Sequence, residues 1–510
     1  MPRRFVIAFE LVVASLLVAA TFVVHPVAYI LRVPFWADET WVAATTRAGW
    51  RELSFVTQSA PIGFSILLRL VPANGGQSLR IVPLVFAAAS VAVGYLLGRE
   101  LRLIPVLTAT LTALAVLLAP AMLVRNDLKQ YTVDAFTTLL LFYLLARLEN
   151  RWTRRGLVAI GATSVVGMLF SHTIVFASAA VLAALAGAAL LRRERRELVD
   201  VVATAAAIVV PMAVLFFLFD APEQNQGLTG YWSAFYLPIT HPRAAITFLH
   251  QGFGRISPYL GTHVWIVPIL FAALGVATLA RARRYASALA LPLLILVAMA
   301  ASAAHRYPFL DLRTNTFWIV AVAAFMAVGV SGLVTLVSRI HWLPAAAVAV
   351  TAVVLWVVAV GPYVRTRSIP NTGYIGPLVK YVDAHRRPGD VVLVNWFTAP
   401  GFAYYERAAS PVFRSTPHFV RGPRPAYPHD RWIVVATDPT AASAKAATVE
   451  AQRRAVELHS NRVWMLIVYT FPGLDAPAWK VELAQPNVQR VVTVPPDPDH
   501  GLFLWDGSRA

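Results

Sequence analysis

Eleven long apolar runs constrain this chain more than any other feature; they fall at about 5–24, 80–98, 105–124, 131–148, 156–171, 173–191, 199–219, 263–281, 285–303, 315–337 and 342–362. Each is close to the roughly 20 residues that an α-helix needs to cross the hydrocarbon core of a bilayer. Inside lipid, backbone polar groups must be satisfied by the spanning structure itself, which leaves helices or closed barrels, and these runs lack the alternation of a barrel strand. The expected fold class is a polytopic α-helical membrane protein with about eleven transmembrane helices.

Arginine placement orients the helices. The clusters Arg3/Arg4, Arg99/Arg102, Arg147/Arg151/Arg154/Arg155, Arg192/Arg193/Arg195/Arg196, Arg281/Arg283/Arg284 and Arg339 fall on one side of the alternating runs and hold sixteen of the 27 Lys and Arg residues before position 363. Short cytoplasmic loops carry such an excess. The expectation is therefore a multi-pass protein of the cytoplasmic (inner) membrane, with its N-terminus inside and its tail outside. The formal charge of +18 does not imply nucleic acid, because the basic residues are spread over short loops rather than along one soluble face. The first run, after Met1-Pro2-Arg3-Arg4, lacks a convincing small-residue cleavage site and reads as an uncleaved helix.

Two outer loops are long. Residues 25–79 contain a predicted short helix over 38–48 at the membrane interface, with Trp36, Trp41 and Trp50 as headgroup-level anchors, and a second short apolar segment over 62–71. Residues 220–262 carry Tyr231, Trp232, Phe235 and Tyr236, suited to headgroups or to stacking on sugar. After Gly361-Pro362 polar and charged residues interleave with short apolar runs, so the chain divides into a membrane module, 1–362, and an extracytoplasmic domain, 363–510. In that domain 391–394, 432–436, 463–468 and 491–494 read as buried strands and 374–386 and 440–459 as helices, giving a small α/β fold. The chain has no cysteine, so this domain must be held by its core. It shows no phosphate-loop or dinucleotide fingerprint.

The outer side gathers eight of the fourteen acids before position 363. They are Asp38, Glu39, Glu52, Asp127, Asp134, Asp220, Glu223 and Asp311, mixed with Lys129, His172, His305, Arg306 and Arg313. Ionisable groups at helix ends beside a bilayer are costly and mark function by default. Phe35-Trp36-Ala37-Asp38-Glu39-Thr40-Trp41 sets two carboxylates among aromatics just after the first helix. In Arg125-Asn126-Asp127-Leu128-Lys129-Gln130-Tyr131-Thr132-Val133-Asp134, read as helical throughout, Arg125 and Lys129 share one side and Asp127, Tyr131 and Asp134 the other. Structural readings compete with each of these. Asp38 could cap a helix starting at Glu39, Lys129 could pair with a nearby acid, His172 could be a satisfied turn residue, and Arg306 and Arg313 could pair with Asp311. Arg80 reads as a structural or headgroup contact.

The order of Asp38-Glu39 after helix one, Ser78-Leu79-Arg80 opening helix two, Leu128-Lys129-Gln130-Tyr131 opening helix four, and Tyr307-Pro308-Phe309 followed by Arg313 resembles the GT-C glycosyltransferases. The likeness, over about residues 5–340, is to the bacterial branch related to protein O-mannosyltransferases and lipid A aminoarabinose transferases. It implies an enzyme of cell-envelope biogenesis that moves a sugar from a polyprenyl-phosphate donor to an acceptor hydroxyl on a glycan, lipid or protein at the outer membrane face. It also implies Asp38 as general base, with Glu39 the adjacent catalytic candidate. Lys129, with Arg306 or Arg313, would hold the departing phosphate; Asp127 and Tyr131 would position sugar or a metal, and His172 would bind phosphate or a metal. The chemistry agrees: a phosphate leaving group needs cations more than a general acid, so one base suffices, unlike the two carboxylates of glycosidases.

Asp38, Glu39, Asp127 and His172 could form an oxygen-rich site for a divalent cation, Mg or Mn, but no diagnostic ligand spacing is present and no metal ligand is assigned. Two other functions fit the same topology. A transporter or flippase of lipid-linked sugars would show paired halves with interrupted helices and midplane sites; no internal repeat is found and the polar residues sit at one end of the helices. A non-catalytic cell-envelope assembly protein using 363–510 as its binding face would keep the topology without needing Asp38.

Overall fold

Helices stand at all eleven apolar runs in the computed structural model, which describes residues 3–53, 60–72, 76–124, 127–221, 230–366, 374–415, 423–470, 475–493 and 500–509. Among the described residues, nine helices are long and apolar enough to cross a membrane. The remaining two, Arg154–Met168 and Ile266–Arg281, have 15 and 16 residues. The first of these stops short of the expected 171 because its end tightens into i→i−3 bonds, Leu169 N–H donating to Val166 O (3.1 Å) and Phe170 N–H to Gly167 O (2.9 Å). The protein is a multi-pass helical membrane protein with a smaller sheet-containing domain toward its C-terminus.

By internal contacts the chain forms two compact units, Met1–Tyr29 with Ile81–Ile369, and Ile30–Arg80 with Pro370–Ala510. In the first unit the helix Thr316–Val337 is the centre: most of its residues are buried, and it packs on Ile266–Arg281, Pro105–Leu117 and Tyr131–Asn150. Against Ile266–Arg281 the approach is at backbone contact. A Cβ on Gly275 would stand 2.3 Å from Phe325 O, and one on Gly329 would stand 2.1 Å from Phe271 O, so both positions require glycine, as small-residue seams in membrane bundles do. The helices Arg3–Val24, Arg195–Leu215 and Trp342–Thr366 instead leave most of their apolar surface uncovered. That is the expected state of helices whose solvent is lipid, where exposing leucine and valine costs nothing.

One end of this bundle is tied by a buried carboxylate. Glu149 accepts from Arg192 Nη2 (2.6 Å), Ser287 Oγ (2.6 Å) and the N–H groups of Ala286 (2.8 Å) and Ser287 (3.1 Å). It thereby satisfies the orphan donors of the helix Tyr285–Ala303 and complements its dipole. Arg192 and Arg284, two arginines of the clusters used for orientation, meet here with Glu149.

The second unit is built on a five-stranded sheet of order β4-β1-β5-β7-β6, with β1 Val391–Val394, β4 Ile433–Val435, β5 Arg462–Ile467, β6 Val488–Thr493 and β7 Gly501–Asp506. β1 is parallel to β4 and β5, whereas β7 is antiparallel to β5 and β6. A separate hairpin pairs β2 Val412–Ser415 with β3 Pro423–Ala426. The helix Ala441–Glu457 lies on the sheet with alanines 444, 447, 451 and 455 inward, a stripe at helical spacing.

Segment 30–80 belongs to this same unit, which changes the reading of its aromatics. Trp41 is buried against Trp396 and Phe397 (ring centroids 5.2 and 5.1 Å), so it is a core residue rather than a headgroup anchor; Trp50 remains well exposed. The expected helix over 38–48 is Ala37–Ala44 followed by a 3-10 turn, Thr45–Arg47, and the segment expected over 62–71 is the helix Ile62–Arg69.

Candidate functional site

Asp38 and Glu39 occupy the first turn of helix Ala37–Ala44, and the structure separates them. The Trp36 N–H donates to Glu39 Oε2 (3.1 Å), so Glu39, not Asp38, satisfies a donor at the helix start. Arg80 closes on the same carboxylate, Nε donating to Oε1 (2.6 Å) and Nη2 to Oε2. Both side chains are fully buried. Arg80 also donates to the carbonyls of Ile30 (2.7 Å), Val33 and Pro34 (3.1 Å), an arrangement that uses the planar fork of a guanidinium as a lysine could not. Arg80 is thus a structural contact. Seven of the eight residues of the helix are buried; Asp38 is the eighth and remains partly open.

The other expected site residues belong to the first unit. Asp127–Gln130 is a bend in which Lys129 N–H donates to Asp127 O (2.7 Å), and the helix begins only at Tyr131. The single helical face expected across 125–134 is therefore not formed by the described residues; Arg125 and Asn126 lie outside them, as does Glu223. Asp127, Lys129 and Tyr131 are all buried. One turn into the helix, the buried Asp134 accepts from Ser171 Oγ (2.5 Å), which also contacts Thr173 Oγ1 (3.2 Å). His172, between them, is partly exposed and close enough to Asp134 for their charges to interact.

The loop 304–315 comes to the same cluster. Tyr307 donates to Thr314 O (2.7 Å) and its ring meets Phe176 edge-on at 4.8 Å. Burial pushes its phenol well above the usual range, and the adjacent Asp134, Tyr131 and Asp311 push it further. That places Tyr131, Asp134, Tyr307 and Asp311 within one electrostatic neighbourhood. Asp311 accepts from Thr314 N–H (3.0 Å) and sits 4.0 Å from Arg313 Nε. Arg313 donates through Nη2 to Tyr231 OH (3.0 Å) and lies over the Trp232 ring at 5.1 Å. Arg306 is exposed.

Sequence reasoning kept Asp134 and Asp311 among the outer acids, giving Asp134 no role and Asp311 only that of an ion-pair partner for Arg306 and Arg313, and it gave Ser171 no role. The available signals were the hydroxyls flanking His172 and the four-residue spacing of Tyr307 and Asp311. Two buried oxygens at the start of the 131–150 helix, Gln130 Oε1 and Thr132 Oγ1, lack a hydrogen-bond partner among the described residues. Among those residues, no cluster of three or more His, Cys, Asp or Glu could hold a metal ion.

No family model and no curated protein matches the sequence. Solved structures do match. ArnT from Cupriavidus metallidurans, in its apo state, aligns over 97% of this chain and 98% of its own at 15% identity, with a TM-score of 0.56. The Archaeoglobus fulgidus oligosaccharyltransferase AglB, in complex with an inhibitory peptide and a dolichol-phosphate, aligns over 90% of this chain and 69% of its own at 15% identity, with a TM-score of 0.51. A further structure of the A. fulgidus oligosaccharyltransferase, in complex with Zn and sulfate, covers 89% of this chain and 67% of its own at 14% identity and a TM-score of 0.51. At such identities the likeness speaks for the fold, and it runs through both the helical bundle and the C-terminal domain. The chain has the fold of the GT-C glycosyltransferases.

Proposed function

We propose that this protein is a membrane glycosyltransferase that moves a sugar from a polyprenyl-phosphate donor to a hydroxyl of a glycan, lipid or protein acceptor, at the outer face of the cytoplasmic membrane. The observation that carries this reading is the split between the two neighbouring carboxylates. Glu39 is committed to Arg80 inside the unit, while Asp38, on the same turn, is the one residue of its helix left partly open. An acid held by a locked helix yet accessible is what a general base requires. The fold shared with ArnT and with an oligosaccharyltransferase solved with dolichol-phosphate supports the donor class.

In this reaction Asp38 takes the proton from the acceptor hydroxyl as its oxygen bonds to the anomeric carbon. The bond from that carbon to the phosphate oxygen breaks, and the polyprenyl phosphate leaves with its negative charge. Lys129, with Arg313 or Arg306, supplies the positive charge we assign to that phosphate; electrostatic stabilisation of this kind is commonly a large catalytic contribution. Asp127, Tyr131 and His172 position donor groups, and Glu39 holds Asp38 in place. Among the described residues no cluster of three or more His, Cys, Asp or Glu could hold a divalent cation.

The test incubates purified protein with labelled polyprenyl-phosphate sugars and candidate acceptors, comparing the parent with Asp38→Asn. Transfer at equal rates by both removes Asp38 from the chemistry. Failure of transfer with every donor, together with movement of lipid-linked sugar across liposomes, would establish a flippase instead. Chelation with EDTA followed by Mg or Mn addresses the cation: transfer lost and then restored would add an ion to the reaction.

A further inference from the structure

The second unit contains a feature that the reaction above does not use. The short helix Ala399–Tyr405, between β1 and β2, packs on the helix that carries Asp38. Its Tyr405 hydroxyl accepts the Phe35 N–H (3.0 Å), a buried bond across 370 residues of sequence. The Phe35 ring is fully buried, 5.5 and 6.4 Å from the rings of Tyr404 and Tyr405, and the Arg80 guanidinium lies over it at 4.7 Å. Tyr404 donates to Gly76 O (2.7 Å), fixing the chain that leads into Arg80. At the other end of the Asp38 helix, Trp41 Nε1 donates to Phe397 O (3.4 Å), and Arg47 donates to the carbonyls of Glu406 (3.2 Å) and Ala409 (3.0 Å). The two helices approach so closely that a Cβ on Gly401 would stand 3.0 Å from Thr40 Oγ1, and it would also stand 2.3 Å from Ile375 Cδ1 of the helix Ile375–His385.

From these contacts we infer that the C-terminal domain is the template that positions the Asp38 helix, with Tyr405 as the positioning residue, joined to Asp38 through Phe35, Arg80 and Glu39. The reasoning is geometric. A four-turn or longer helix can hold its own first turn, but Ala37–Ala44 has eight residues, below the length at which isolated helices are stable in water. Its conformation must come from packing. That packing is supplied by residues 396–409 along its length and by Tyr405 at its entrance, where the buried Phe35 N–H would otherwise be unsatisfied. The domain is then part of the catalytic geometry itself rather than a lid or an appendage. This inference rests on the assignment of Asp38 as the base only for its kinetic consequence; the mechanical link stands on the contacts alone.

The experiment uses the full chain and exploits its lack of cysteine. Asp38→Cys provides a single thiol for a nitroxide spin label, and the label's mobility is compared in this background, with Tyr405→Phe added, and with Gly401→Val added. Each added substitution should make the label more mobile, Gly401→Val more than Tyr405→Phe. In the chain with Asp38 intact, Tyr405→Phe should lower kcat by about tenfold, because small displacements of a reacting group are costly, while the donor KM stays within about twofold; a merely structural defect would lower the active fraction without changing the pH profile of kcat. Tyr405→Phe retains the ring and is the variant expected to fold; if Gly401→Val does not, the inference is judged on Tyr405→Phe alone. Unchanged label mobility and unchanged kcat in Tyr405→Phe overturn the inference. A more mobile label together with full transfer by Asp38→Asn would leave the positioning intact and overturn the role of Asp38 as base.

Discussion

Two buried carboxylates near the ends of apolar helices are stabilised in opposite ways. Glu39, in the second unit, is closed by the guanidinium of Arg80, charge against charge in a dry interior. Asp134, in the first unit, is held by the hydroxyl of Ser171 with Thr173 beside it. A guanidinium neutralises the acid it binds, whereas a hydroxyl orients the acid and leaves its charge to be answered by other groups. Glu39 is therefore suited to fixing a backbone. Burial chiefly raises the phenol of Tyr307, and the charge of Asp134 adds to it.

The largest effect expected concerns neither of these acids but the neighbour of the first. Asp38→Asn should cut transfer by about 10²–10⁴-fold, the usual worth of a general base, with no change in thermal unfolding; a parallel fall in melting temperature would place Asp38 with Glu39 as a structural acid. Glu39→Gln should show the reverse emphasis. Leaving Arg80 charged and unmatched in the interior should destabilise the second unit by about 3–5 kcal/mol, and replacing both partners by apolar residues should cost less than removing one. A denaturation cycle over the single and double variants measures this.

Ser171→Ala sharpens the comparison from the other side. Removing the donor to a buried carboxylate should cost about 1–3 kcal/mol, and the loss should be less than additive with Asp134→Asn because the two substitutions remove the same bond. Additive losses would mean that Asp134 and Ser171 act separately. The smallest effect belongs to a surface pair. The Glu450 carboxyl is held down to about 2, chiefly by a hydrogen bond from Arg453 with Arg454 adding, against an ordinary value of 4.5. The folded state thus favours the ionised form, so this stabilisation is complete above pH 4.5 and is lost as pH falls from there through about 2. Glu450 is a third exposed, and screening limits the contribution to at most about 1 kcal/mol. The stability gap between parent and Glu450→Gln, read from urea melts, should shrink as pH falls across that window.

Much of the architecture was legible from hydropathy, because a bilayer imposes one length and one secondary structure on whatever spans it. The strands at 391–394 and 462–467 were visible for a related reason: they are central in the sheet, and central strands are buried on both faces and read as short unbroken apolar runs. The site was legible as a set of residues but not as a geometry. Asp38 looked like the natural cap of its helix, yet the cap came from Glu39, because the helix begins at Ala37 and the N-cap position falls on Trp36. Tyr131 was assigned to a helix already running from 125, whereas the described chain bends over 127–130. The bond from Phe35 to Tyr405 spans 370 residues, and no local pattern announces a contact of that range. Trp41 was misread as a membrane anchor for the same reason, since its partners Trp396 and Phe397 are equally remote in sequence.

The paired glycines at 275 and 329 carry a consequence for motion. Each sits against the other helix's backbone, with no side chain to act as a bearing between them. Sliding either helix along the other by one residue would drive a Cβ-bearing neighbour into a carbonyl oxygen, so their register is quantised and effectively fixed. Ile266–Arg281 and Thr316–Val337 must travel as a single rigid spar. Any rearrangement within the bundle has to be taken up by its other helices.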